Sequence, residues 1–205
     1  MGYTSSVHRF RSEDDPRPDQ SSVATSSWFE TLCGASCLAI VVIGMIGDDP
    51  ASMAAIATTA AGFGVFAHAG TRAARSRRSS ARDVRAGVGV DLVVGLAGIA
   101  IGVLVLARAV PFGWLAIAAT AIGVGLLFAG RAKASVDTER PGWRCDAWSV
   151  VAMMLAALAT VVLAVLAFAA VRPIATLSLA AACAGIGLIL AGSGTLSTIQ
   201  DLDRQ

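Results

Sequence analysis

Charge is scarce in this chain and lysine is almost missing from it. Only 15% of its 205 residues are Asp, Glu, Lys or Arg, and Lys133 is the one lysine among 16 basic residues. A soluble domain carries about 25% charged residues, so a water-soluble globule is excluded first. Histidine occurs twice and cysteine four times, and no catalytic, metal or nucleotide motif stands out. An enzyme is therefore not expected, nor a cofactor or a metal. With no cysteine clearly outside the membrane, no structural disulfide is expected either. A cleavable signal peptide is not expected, because the first apolar block follows 27 mostly polar residues and is too long for a signal h-region. The Met1-Gly2…Ser6 match to a myristoylation pattern reads as accidental.

What is present is apolar sequence, 56% of the chain. It falls into six blocks, at 28–47, 51–70, 87–107, 112–130, 148–169 and 174–192. A bilayer crossing takes about 20 mostly apolar residues, so each block predicts one transmembrane helix. Little is left outside them beyond a polar tail and two basic loops, which leaves no room for a soluble domain. Residues 1–27, rich in Ser, Pro, Asp and Arg, are expected to be a disordered cytoplasmic tail, and 193–205 a short second one.

Basic residues divide unevenly between the connections. The first tail holds Arg9, Arg11 and Arg17; the loop after the second block Arg72, Arg75, Arg77, Arg78, Arg82 and Arg85; the loop after the fourth Arg131, Lys133, Arg140 and Arg144; the last tail Arg204. The other three connections hold only Arg108 and Arg172. Basic residues near span ends stay cytoplasmic, so both termini are expected inside and the three short connections outside. The result is three tight helical hairpins, 28–70, 87–130 and 148–192. Trp143 and Trp148 flank the fifth span and read as interface anchors.

The hairpins repeat. Pro50, Pro111 and Pro173 lie 61 and 62 residues apart, each expected to open the second helix of its hairpin. Twelve residues on comes a Gly-x-Gly, at Gly62/Gly64, Gly123/Gly125 and Gly185/Gly187, and each helix is expected to close on a glycine, Gly70, Gly130 or Gly192. Gly98 and Gly102 form a GxxxG in the third span. Such glycines let helix backbones approach closely, the usual packing device in lipid. A role lining a conduit or hinge is the lesser alternative. All three copies start on one side, so the repeats are parallel and predict an all-α membrane bundle of pseudo-threefold symmetry.

Six spans in three hairpins, Pro opening the even spans, Gly-rich even spans and Trp28 and Trp148 near hairpin starts together resemble the HdeD-like family of small bacterial membrane proteins. The resemblance covers roughly 28–192. It implies a multi-pass bacterial inner-membrane protein contributing to acid or envelope stress tolerance, with no catalytic residues to carry over.

Few ionisable residues fall inside the spans. Asp91 lies near the cytoplasmic end of the third, where it either pairs with a loop arginine or, inside the bundle, senses protons. His68, near the same end of the second span, is its candidate partner, since histidine titrates near neutrality. By repeat register Glu30 corresponds to Asp91, whereas the third copy has Met153. Cys33 and Cys37 share a helix face and read as packing residues rather than metal ligands; Cys145 and Cys183 stand apart. The cluster Arg72, Arg75, Arg77, Arg78, Arg82 and Arg85 is expected to contact anionic lipid head groups. No aromatic residue interleaves these arginines, so nucleic acid is not an expected partner. The expected partners are the bilayer, its anionic head groups, and either a second copy or a larger membrane complex. Two alternatives to the stress role are an accessory subunit of such a complex and a small proton or solute conduit.

Overall fold

The computed structural model describes residues 20–76, 82–138, 147–170 and 172–203. Expectations for residues 1–19, Arg77, Arg78, Trp143 and Cys145, and for the side chains of Arg75, Arg82 and Arg85, lie outside the described residues.

Six helices follow one another: α1 (Gln20–Ile46), α2 (Pro50–Ser76), α3 (Arg82–Leu106), α4 (Trp114–Thr138), α5 (Ala147–Phe168) and α6 (Pro173–Asp203). Each contains a segment long and apolar enough to cross a bilayer. Helices are the form such sequence takes in lipid, because each backbone donor then finds its acceptor within its own segment. Hydroxyls inside the spans are satisfied the same way. Thr58, Thr120, Thr160 and Ser178 donate to the carbonyls of Ala54, Ala116, Ala156 and Ile174, at 2.7–3.0 Å. They are thereby spent within their own helices and offer little to a polar lining.

The short connections are built differently from one another. Asp49 caps α2: the Ser52 N–H donates to Oδ1 at 3.2 Å and the Ser52 hydroxyl to Oδ2 at 2.6 Å. Pro50 takes the first helical position, where its missing N–H has no intrahelical use. After α3, Ala109 N–H donates to Leu104 and Arg108 N–H to Val105, both at 2.9 Å, with Arg108 at φ 56°. This is a Schellman cap carrying arginine where glycine is usual. Ala170 and Arg172 are also left-handed, at φ 60° and 43°.

Three expectations about boundaries need correcting. Pro111 does not open α4; it accepts the Trp114 N–H at 3.1 Å in a tight turn that precedes the helix. Gly70, Gly130 and Gly192 do not end their helices, which run on to Ser76, Thr138 and Asp203. The polar residues beyond them favour helix once the turns before them are built, since propagation adds a bond per residue. Likewise α1 begins at Gln20, inside the expected tail.

Helices α2, α4 and α6 touch one another at the centre. Helix α1 lies between α2 and α6, α3 between α2 and α4, and α5 between α4 and α6, with no contact between odd helices among the described residues. The even spans are accordingly 50, 56 and 50% buried and the odd ones 28, 22 and 33%. The centre is filled by Val65, Leu126 and Leu188, which occupy the same place after each Gly-x-Gly and are no more than 2% exposed. Large apolar side chains such as Val93, Leu155 and Val165 point outward, as a lipid-facing surface allows. Trp28 and Trp148 are exposed at the end holding the termini and Trp114 at the other, the placing of aromatic belts.

Glycine sets the helix spacing. A methyl built on Gly62 would lie 2.8 Å from the Ile99 nitrogen of α3, one on Gly123 2.7 Å from Val161 of α5, and one on Gly185 2.9 Å from the Gly34 carbonyl of α1. The first glycine of each Gly-x-Gly thus seats the odd helix of the next hairpin, and the third copy returns to the first. Gly64 and Gly187 face inward instead, towards Leu188 and Leu126, while Gly125 faces Val94. Gly98 and Gly102 bring α3 against α2, near Gly62 and Thr59.

Candidate functional site

Each odd helix carries one fully enclosed residue twenty positions before the hairpin proline: Glu30, Asp91 and Met153. All three are 1% exposed. Two are carboxylates, and an unpaired charge at such a place is expensive.

Both carboxylates find their partner on α2. His68 Nδ1 lies 2.8 Å from Glu30 Oε1. Arg72 donates from its guanidinium to Asp91 Oδ2 at 2.5 Å. His68 and Arg72 are one helical turn apart, and α2 lies between α1 and α3, so a single helix end supplies both bases. The expected His68–Asp91 pair is therefore corrected. His68 faces α1 while the longer Arg72, one turn nearer the helix end, reaches α3. The same contact corrects the reading of Arg72 as a lipid-contacting residue, because its guanidinium is committed inside the protein and the side chain is only 16% exposed.

The surroundings are tight. A methyl on Gly125 would lie 3.9 Å from Asp91 Oδ1, which places α4 on the far side of that carboxylate. Thr71 donates its hydroxyl to the His68 carbonyl at 2.7 Å. On α1, Thr31 donates to the Ser27 carbonyl at 3.0 Å, and both residues press on Gly192 of α6. Two polar atoms here, Ser27 Oγ and His68 Nε2, are buried without a partner among the described residues. Each such atom costs about 1–3 kcal/mol, so this corner of the bundle is electrostatically demanding for its size.

The cluster breaks the repeat. Counted from the second glycine of each Gly-x-Gly, the place of His68 is held by Ala129 and Ala191, and Met153 replaces the carboxylate of the third copy. The α1–α2–α3 sector thus concentrates the buried charge, and the corresponding α5–α6 positions are apolar. Sequence register had paired Glu30 with Asp91 as equivalents; it missed that their bases sit together on α2. The signal available was the i, i+4 spacing of His68 and Arg72.

The cysteines make a separate arrangement. The Cys37 thiol donates to the carbonyls of Ala181 at 3.1 Å and Ala57 at 3.4 Å, tying α1 to both α6 and α2. Cys33, Cys37 and Cys183 are free thiols. No group of three His, Cys, Asp or Glu among the described residues is placed to hold a metal ion.

Fold and burial together define a multi-pass helical membrane protein. Among known proteins, no family model, curated protein or solved structure matches the chain.

Proposed function

We propose that this is a non-enzymatic bacterial inner-membrane protein of HdeD-like type, built by triplication of a helical hairpin and contributing to acid or envelope stress tolerance. The observation behind this reading is the pair of enclosed carboxylates, Glu30 and Asp91, each matched by a base on α2. Losing either one strands the charge or the donor opposite it, in a place where stranding is costly. The two pairs therefore bear directly on how α2 is held between α1 and α3. The apolar fill of the bundle axis by Val65, Leu126 and Leu188 favours sensing or stabilising over conduction.

Both termini and the charged cluster lie on the cytoplasmic side in this reading, by the distribution of arginines. The arginine-rich connection after α2 would then be attracted to anionic lipid head groups of the inner leaflet. A reporter fused after Asp49 should behave as external, and a cytoplasmic signal there would reverse the orientation.

The function is tested by survival after an acid shift. A strain lacking the protein should survive worse, and the native chain should restore it. Asp91→Asn and Glu30→Gln, expressed at native level, should not. Equal survival with and without the protein would reject the stress role.

A further inference from the structure

At the end of the bundle remote from the termini, α1 and α6 part to leave a groove of about 530 Å³. Its lining includes Met45, Gly47, Pro50, Ile174 and Leu179, with Arg172 as the one charged residue. Met45, Ile174 and Leu179 are all exposed, so the groove opens sideways onto the surface that the fold gives to lipid. Apolar walls below a single cation, at the depth where hydrocarbon gives way to head groups, match an amphiphile with a phosphate.

The connection between α1 and α2, which supplies part of the lining, carries the opposite charge. Asp48 lies between Gly47 and Pro50, both of which line the groove, and it is exposed. Its neighbour Asp49 is occupied by the Ser52 hydroxyl and N–H and feels the charge of Arg108. Of the two acids, Asp48 is the one left for a ligand. Arg172 stands directly before Pro173 in a left-handed backbone conformation, φ 43°. That conformation is disfavoured for a residue with a side chain, and it sets the direction in which the Arg172 side chain leaves the backbone.

We propose that this groove binds one phospholipid with a phosphoethanolamine head, its phosphate on Arg172, its primary ammonium on Asp48 and an acyl chain along Ile174 and Leu179. The site rests on the membrane reading of the fold and is independent of the stress role. The protein contains its own control. A second groove of about 430 Å³ between α4 and α5 is lined by residues such as Ile117, Val165 and Phe168, and no charged residue lines it. That groove has the walls without the head-group contacts.

Native mass spectrometry of the full chain, titrated with phosphatidylethanolamine, phosphatidylcholine or phosphatidylglycerol of identical acyl chains, tests the site. Phosphatidylethanolamine should give a discrete one-lipid adduct at the lowest concentration. Arg172→Gln should raise its half-occupancy concentration about tenfold, the loss of one charge-assisted contact. Asp48→Asn should abolish the preference over phosphatidylcholine, whose quaternary ammonium donates no hydrogen bond. Leu179→Trp, which fills the groove and spares both charges, should remove the adduct while the melting temperature stays near native. Equal occupancy by the three lipids, tighter binding of phosphatidylglycerol, or native titrations from Arg172→Gln and Leu179→Trp would overturn the assignment.

Discussion

Glu30 on α1 and His68 on α2 meet with Oε1 2.8 Å from Nδ1, the carboxylate being 1% exposed. The contact fixes the rotation of α1 against α2 close to the end that holds the termini. Glu30→Gln keeps a hydrogen-bonding group and should lower stability modestly, by about 1 kcal/mol. Glu30→Leu leaves the imidazole without its acceptor and should cost about 1–3 kcal/mol. Thermal unfolding in a mild detergent separates the two; equal losses would mean that side-chain volume rather than the hydrogen bond matters there.

The Arg72–Asp91 pair calls for a double-mutant cycle. Removing one partner of an enclosed ion pair costs about 3–5 kcal/mol, because the other charge is left uncompensated. Arg72→Met and Asp91→Leu should each destabilise on that scale. The double variant, with no charge left to strand, should recover most of the loss. Additive losses in the same unfolding assay would show that the two side chains do not interact.

Helix spacing is testable through two glycines of one helix. Gly62→Ala would drive a methyl to 2.8 Å from the backbone of α3, whereas a methyl on Gly70 meets nothing within 4 Å. Overpacking of the first kind costs about 1–3 kcal/mol. Gly70→Ala should instead be neutral or slightly stabilising, since alanine is the better helix former. Equal effects on the melting temperature would rule out close approach as the reason for Gly62.

Filling of the axis predicts a contrast between two leucines. Leu188 is fully enclosed and Leu158 is 50% exposed on the outer face of α5. Leu188→Ala should cost about 2–5 kcal/mol by leaving a cavity. Leu158→Ala should stay within about 1 kcal/mol, because lipid takes up the lost volume. Proton flux into liposomes should remain at background for the native chain.

One acid dependence comes from the α1–α2 connection. The Ser52 hydroxyl, then the Ser52 N–H, hold the Asp49 carboxyl below its usual range, with help from the charge of Arg108. A carboxyl lower in the folded than in the unfolded chain adds stability that is fully present above the unfolded value of about 3.9 and is lost as pH falls through the folded one. Melting temperature should therefore fall on acidification below about pH 4. Asp49→Asn, which can still cap α2, should reduce that slope by up to about one proton. An unchanged slope would place the acid sensitivity elsewhere.

How far the chain could be read from sequence differs between its parts. The six helices were legible because a lipid-embedded segment must satisfy its backbone by itself, so length and apolarity decide the matter locally. The glycines at Gly62, Gly123 and Gly185 were legible as close-packing positions by type, though not as the seats of α3, α5 and α1. Helix ends were poorly legible: Gly192 looks like a cap in sequence, but in space it is where α6 accepts Thr31 and the Ser27 carbonyl of α1. Asp91 stands out as an intramembrane carboxylate, and the reading that pairs it with a loop arginine holds, with Arg72 as that arginine; the alternative His68 partner belongs to Glu30 instead.

Sequence alone therefore determined the helical membrane class, the number of apolar helices and the matched spacing of Glu30 and Asp91 before Pro50 and Pro111. All of these depend on spacing along one chain. Tertiary structure decided that the even helices form the centre, that α2 is flanked by α1 and α3, and that His68 and Arg72 turn to opposite neighbours. Those facts depend on the rotation of each helix about its axis and on which helices are adjacent. Hydropathy is nearly blind to both when lipid and protein interior are equally apolar.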